Sequence, residues 1–310
     1  MYQSSSLIPP FLCPVCGSKF DGTIVAEETL PDESRVAVQV CPTCGLHITY
    51  PRLENPQEAY SDLDEASWNA KYGGIDAGRF KHDRYQNYLE EVATIQTYVP
   101  EGKILDVGCH SGWLLGYLQQ AGYTELEGIE PTPFLASVAR RRLNITIHEM
   151  YLQDLTDRDK AYDAIIATDV IEHVNPEDQP SFIRAIHKLL KPEGYVFIKT
   201  PNVHFTKLKA NISAGLPEFI NSRLLMHRDL WDAKEHVVLW DETTLRGIFQ
   251  HNGFEIVRTF VPMPVQTRNS PILARIARDT LYTSSYLVGG RASIPSLAQD
   301  IFLVARKQMS

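Results

Sequence analysis

Between Phe80 and Val99 the apolar residues Tyr85, Tyr88, Leu89, Val92, Ile95 and Val99 recur at intervals of three and four. That spacing predicts an amphipathic helix, and Pro100 ends it. The pattern then changes. Ile104-Leu-Asp-Val is a short run suited to a buried strand, Gly108 to Gly112 is a tight turn, and Trp113 to Ala121 is a helix stopped by Gly122. "LEGIEPTP" predicts a second strand ending in Glu130, followed by a helix from Phe134 to Arg142. "ITIHEMYLQDL" predicts a third strand closing on Asp154-Leu155, and "AYDAIIATDVIEHV" a fourth. "FIRAIHKLLKPEGYVFIKTPN" reads as a helix, a Pro-Glu-Gly turn and a fifth strand. "TTLRGIFQHNGFEIV" reads as a helix, an Asn-Gly turn and a sixth strand, and "DIFLVARK" as a last one. Strands alternating with helices predict an α/β fold with a Rossmann-like sheet.

Upstream, "SRVAVQV" (Ser34 to Val40) partly alternates, as a strand does, and leads into "CPTCG". A matching "CPVCG" precedes it, so Cys13 and Cys16 form one C-x-x-C pair and Cys41 and Cys44 another, with 24 residues between the pairs. Two such knuckles supply four thiolates for a tetrahedral zinc. The glycine after each pair can take positive φ, which lets backbone N–H groups turn toward the sulfurs. Four thiolates leave no open coordination position, so this zinc is expected to be structural. A disulfide fits less well in a sequence without a secretion signal, and a redox role less still, because the motif occurs twice with matching glycines.

Composition narrows the classes. The chain has 310 residues, 44% of them hydrophobic, and a net charge of -8. That balance is poor for nucleic-acid binding, which draws on phosphate neutralisation. The run Arg140-Arg141-Arg142 reads as a solvated helix face. No stretch approaches the roughly 18 apolar residues of a membrane helix. "MYQSSSLIPPFLC" lacks the charged and apolar regions of a signal peptide. A cytoplasmic protein with no membrane partner is the expectation. Three regions are expected: residues 1–55 as zinc ribbon, 56–100 as linker and N-terminal helices, and 101–310 as the large domain.

The glycine turn reads "DVGCHSG", with an acidic residue before the first glycine. A carboxylate there would repel a pyrophosphate but suits a cationic ligand. With the order of elements, these motifs resemble a class I S-adenosylmethionine-dependent methyltransferase from about Phe80 to Lys307. The resemblance implies seven strands in the order 3-2-1-4-5-7-6, the last antiparallel. It implies that Asp106, Gly108, Cys109, His110, Gly112 and Trp113 surround the cofactor loop. His110 departs from the family pattern by replacing the middle glycine. The resemblance also implies that Glu130, with Pro131 beside it, holds the ribose, and that Asp154 reaches the adenine amine with the Leu155 N–H nearby. Thr168 and Asp169 would face the methionine part. Cys109 also reads simply as a small buried apolar residue.

The cluster Asp169, Glu172 and His173 ends the fourth predicted strand, where catalytic groups of such sheets gather. His173 and His236 are the candidate bases for a hydroxyl acceptor. The sequence is similar to ubiquinone-biosynthesis O-methyltransferases and small-RNA 2′-O-methyltransferases in its acidic-x-x-Glu-His stretch. That likeness implies a divalent cation on Asp169, Glu172, His173 and His236, which would lower the hydroxyl's pKa. Many related enzymes carry the same stretch without a metal.

Two insertions, 203–235 and 261–298, are expected to form the substrate side. The ribbon resembles that of deoxysugar C-methyltransferases. The expected acceptor is a hydroxyl of a sugar or other polar metabolite. An RNA acceptor and a non-catalytic, cofactor-binding scaffold are the alternatives.

Overall fold

The computed structural model describes residues 11–20, 23–29, 35–51, 64–66, 68, 84–155, 159–214, 236–264, 280, 283–284, 286–287 and 298–309. The larger sheet has seven strands: β4 (Ile104–Val107), β5 (Leu126–Ile129), β6 (Thr146–His148), β7 (Tyr162–Thr168), β8 (Leu190–Pro201), β10 (Phe254–Phe260) and β11 (Asp300–Lys307). Its order is β10-β11-β8-β7-β4-β5-β6. Read from the other edge and renumbered along the chain, that is the expected 3-2-1-4-5-7-6. β4 to β8 run parallel to one another, and β11 runs antiparallel to both β8 and β10.

Helices cover both faces. They are α1 (Tyr85–Tyr98), α2 (Trp113–Gln120), α3 (Pro133–Leu143), α4 (Gln179–Leu189), α5 (Val203–Ala214) and α6 (Glu242–His251). Successive strand residues feed opposite cores. Leu105, Ile165, Val196, Ile198 and Leu303 pack with Phe182, Ile183, Leu245 and Phe249 from α4 and α6. Ile104, Ile166, Phe197 and Val304 pack with Val92, Leu115, Leu118 and Ala139 from α1, α2 and α3. Both faces are buried, so these strands read as continuous apolar runs, without the alternation of a half-exposed strand.

Two local differences from the pattern have simple causes. "ITIHEMYLQDL" forms only the three-residue β6 and then a 3-10 turn, Leu152–Asp154; the short edge strand β6 pairs with β5 alone. In "KLLKPEGYVF" the strand begins at Leu190, before the Pro-Glu-Gly. There Glu193 takes positive φ, and the pairing with β7 shifts register between Tyr162 and Ala164. Of the predicted helix from Phe80, residues 80–83 lie outside the described residues, as do 215–235 and most of 265–297 in the two insertions.

A second sheet of four strands runs β1-β2-β3-β9: β1 (Thr23–Thr29), β2 (Arg35–Val40), β3 (His47–Tyr50) and β9 (Val238–Leu239). Three of these strands come from the cysteine region. The fourth comes from a segment nearly two hundred residues downstream. Cys13, Val15, Phe20, Cys41, Leu46 and Ile48 share one core with Leu245, Ile248 and Phe249. The His251 ring also bonds the Val15 carbonyl at 2.7 Å. This small sheet therefore packs directly onto the helical face of the large one.

Candidate active site

The site is built at the C-terminal ends of β4, β5, β7 and β8. After β4 the chain turns through Gly108 and Gly112, both at positive φ, and His110 takes φ 52 between them. The glycines are required by space as well as by conformation. A Cβ at Gly108 would stand 2.6 Å from Val170 Cγ2, and one at Gly112 2.6 Å from Leu143 Cδ1. His110 fits in place of the middle glycine because Glu130 fastens its backbone. The His110 N–H donates to Glu130 Oε2 at 2.8 Å, and the Thr132 N–H donates to Oε1 at 2.8 Å. Each carboxylate oxygen retains a lone pair for a ligand hydroxyl. Burial pushes the Glu130 pKa up, and the two backbone N–H bonds oppose that push.

Around this loop, Cys109 is buried with its thiol pKa pushed well up by burial, so it is an unionised packing group. Its sulfur sits where Gly128 on β5 has no side chain. The Arg142 guanidinium lies 3.9 Å from the Trp113 ring centroid and donates to the Ser111 carbonyl at 2.9 Å. Trp68 covers the loop from outside: its ring centroid is 5.7 Å from that of His110 and 6.0 Å from that of Phe134. Pro131 is half-buried between Glu130 and Thr132. Asp154 is exposed at the 3-10 turn, where the Leu155 N–H donates to the Leu152 carbonyl at 3.2 Å.

Thr168, the last residue of β7, is half-buried, and Asp169 just beyond it takes φ 57. Asp169 pairs with Arg84, at the start of α1, and with Lys199 of β8 at 3.4 Å. Lys199 also pairs with Glu91 of α1 at 2.6 Å, both side chains almost wholly buried. Asp106 and Asp300 are buried nearby. Burial opposes ionisation of Asp169, but Lys199 and Arg84 together hold its carboxyl well below the usual range. Burial drives Asp106 well up, reinforced by the charges of Glu91 and Glu130, and pushes Asp300 up to about 7. Carboxylates outnumber cations here, an environment that favours a cationic ligand.

The histidines meet on the far side of Asp169. The His173 and His236 rings lie 4.9 Å apart, edge to face. Glu172, His173 and His236 each bring one ligand-capable atom within 4.8 Å of the others; Asp169 is outside this group and committed to Arg84 and Lys199. Thr200 Oγ1 donates to Glu172 Oε2 at 2.9 Å, while Oε1 is buried with no hydrogen-bond donor among the described residues. Burial, then the Asp169 charge, pushes Glu172 up to about 8. Burial, then neighbouring His173, pushes His236 down to about 3, which keeps its ring neutral. The buried Gln179 amide donates to the Ile171 and Val174 carbonyls at 2.7 and 2.8 Å and so fixes the turn that carries Glu172 and His173.

The four N-terminal cysteines form a separate cluster, with their sulfurs within 4.8 Å of one another. Cys13 faces Cys44 at 3.5 Å and Cys16 faces Cys41 at 3.7 Å. In each knuckle the glycine has positive φ and its N–H donates to the first cysteine's carbonyl. Burial, with a contribution from the neighbouring Cys41, pushes the Cys13 thiol up to about 11. A dication would reverse that and stabilise the thiolates.

Arg84, Glu91, Lys199, Asp300, Thr200 and Trp68 were not marked by any motif. The one available signal was charge within apolar pattern: Glu91, with Glu90, stands between Leu89 and Val92 on the helix, and Lys199 interrupts "YVFIKTP".

Comparison with known proteins agrees with this fold. The family described as "Methyltransferase domain" matches residues 80–259. A Rickettsia typhi protein named ubiquinone biosynthesis O-methyltransferase is 30% identical over 129 residues, 40% of this chain and 51% of that protein. The chain thus spans about half the length of the curated relatives it matches. Among solved structures, the complex of the Haloferax volcanii Trm112 methyltransferase activator with a methyltransferase superposes with TM-score 0.53 at 14% identity, covering 79% of this chain and 96% of that one. Magnesium protoporphyrin IX methyltransferase from Synechocystis PCC 6803 gives 0.52 at 16% identity, covering 81% and 98%. At such identities the likeness is one of fold. The chain belongs to the class I S-adenosylmethionine-dependent methyltransferase family.

Proposed function

We propose that this protein transfers a methyl group from S-adenosylmethionine to a small molecule, and that the accepting atom is a hydroxyl oxygen of a sugar or other polar metabolite. The observation that carries the hydroxyl is the His173–His236 pair, whose rings lie 4.9 Å apart beside Glu172. A nitrogen acceptor with a free lone pair needs no base, whereas a hydroxyl must lose a proton. The likeness to a named O-methyltransferase supports the same choice.

S-adenosylmethionine supplies a methyl group made electrophilic by the sulfonium. The loop from Asp106 through Gly108, Cys109, His110 and Gly112 to Trp113 shapes the cradle. Glu130 and Pro131 hold the ribose hydroxyls, Asp154 and the Leu155 backbone meet the adenine, and Thr168 and Asp169 orient the methionine end. The acceptor oxygen forms the new bond to carbon, the sulfur–carbon bond breaks toward sulfur, and the hydroxyl proton passes to His236. An imidazolium forming within 4.8 Å would favour the ionised form of Glu172, whose pKa burial otherwise raises to about 8.

A divalent cation on Glu172, His173 and His236 is a second reading, favoured by the buried Glu172 Oε1, which has no hydrogen-bond partner among the described residues. The test is a screen of sugar and phenol acceptors with methyl-labelled S-adenosylmethionine, run with and without EDTA and magnesium. Label on oxygen in the isolated product is expected. Label only on nitrogen or carbon would overturn the hydroxyl acceptor. Activity lost in EDTA and restored by magnesium selects the cation; activity indifferent to both removes it.

The cysteine cluster is proposed to hold one structural zinc, since four closely packed thiols are its preferred donor set. Metal analysis of purified protein should give one zinc per chain, and Cys13→Ser should lose it. Zinc-free, fully folded protein would overturn the assignment.

A further inference from the structure

Thr49 sits three residues into β3 and is fully buried. Its Oγ1 donates to the His236 carbonyl at 2.8 Å. Its N–H donates to the Val237 carbonyl at 3.1 Å, and the Val237 N–H donates in turn to the Glu172 carbonyl at 2.9 Å. The next two residues continue the contact as sheet: Ile48 pairs with Val238 and His47 with Leu239. At its other end β3 begins three residues after Cys44, and the Cys41 N–H donates to the Leu46 carbonyl at 2.8 Å. The Cys41–Leu46 hydrogen bond, the short strand that follows it and the bonds of Thr49 therefore connect the second cysteine knuckle to the backbone on which His236 and Glu172 stand.

β9 has two residues, too few to hold its own position. Among the described residues, the backbone at 236 and 237 accepts two hydrogen bonds from Thr49 and donates one to the Glu172 carbonyl. We infer that Thr49 is a positioning residue for His236, and that the four-cysteine centre holds the catalytic edge in register through it. The cysteine module is thus a working wall of the active site, beyond any contribution to stability. This rests on the reading of His236 as the proton acceptor.

The alternative is that the hydroxyl merely satisfies a buried carbonyl. Hydrogen exchange and ¹⁵N-histidine NMR on the full chain separate the two, and neither needs the acceptor's identity. In Thr49→Val, which keeps shape and loses the donor, exchange in 236–240 should rise about fivefold, the loss of one net hydrogen bond. The His236 ring resonances should shift, while S-adenosylhomocysteine binding stays unchanged. Thr49→Ser should restore both signals. Unchanged exchange and ring resonances in Thr49→Val, or no rescue by Ser, would overturn the proposal. A second arm covers a Thr49→Val that does not fold: in Cys44→Ser, faster exchange should spread from 41–50 into 236–240 and spare β4 and β5. Exchange that stops at residue 50 would overturn the link. If His236→Ala kept full turnover, the base reading would fall while the exchange results stood.

Discussion

Replacing His236 with alanine should lower methyl transfer to a hydroxyl acceptor by about 10²–10⁴-fold, the usual contribution of a positioned general base. S-adenosylhomocysteine affinity should be unchanged, because the residues proposed to hold the cofactor, namely the loop from Asp106 to Trp113, Glu130 and Asp169, do not include this ring. The effect should fall on kcat, since proton removal belongs to the transition state and adds little to acceptor binding. His173→Ala is expected to be milder: its ring packs edge to face against His236 and helps keep it neutral. Calorimetric binding beside steady-state kinetics checks both. Full turnover in His236→Ala would remove this residue from the mechanism.

Lys199→Met should be the most destabilising of the single changes considered, by about 3–5 kcal/mol, the penalty for stranding a buried charge. Glu91 is the stranded group. Its Oε1 bonds only Lys199, and its Oε2 has no hydrogen-bond donor among the described residues. Asp169 would keep Arg84. Removing both partners, as Lys199→Met with Glu91→Leu, should recover most of the loss, because neither charge then remains to be buried. Urea unfolding of the two singles and the double measures this. A single Lys199 variant within about 1 kcal/mol of the parent would show that the pair is solvated. The pair also joins α1 to the sheet, so the Lys199 variant should weaken S-adenosylmethionine binding as α1 loosens.

The elements of the large sheet were legible because each declares itself locally. Strands buried on two faces read as apolar runs, helices as a repeat of three and four, and the first turn as glycines with no room for a Cβ. The cysteine knuckles are legible for the same reason: ligand and turn lie within five residues. The histidine pair was half legible. "DVIEHV" marks a strand end, but nothing near it indicates that residue 236 will return to it. The sequence likeness also groups Asp169 with Glu172, His173 and His236, whereas in the fold Asp169 is taken by Arg84 and Lys199.

By itself, then, the sequence determined the order of the strands' elements, the glycine loop with Glu130 beyond it, and the four-thiol cluster. These depend on side-chain period and on spacing within a few residues. Only the tertiary structure decided which charges neutralise each other at the sheet's edge, and that the cysteine sheet borrows β9 and reaches His236 through Thr49. Those contacts join residues 85, 108 and 187 positions apart. Such pairs leave no periodic trace in the chain, because each partner taken alone is an ordinary helix, strand or loop residue.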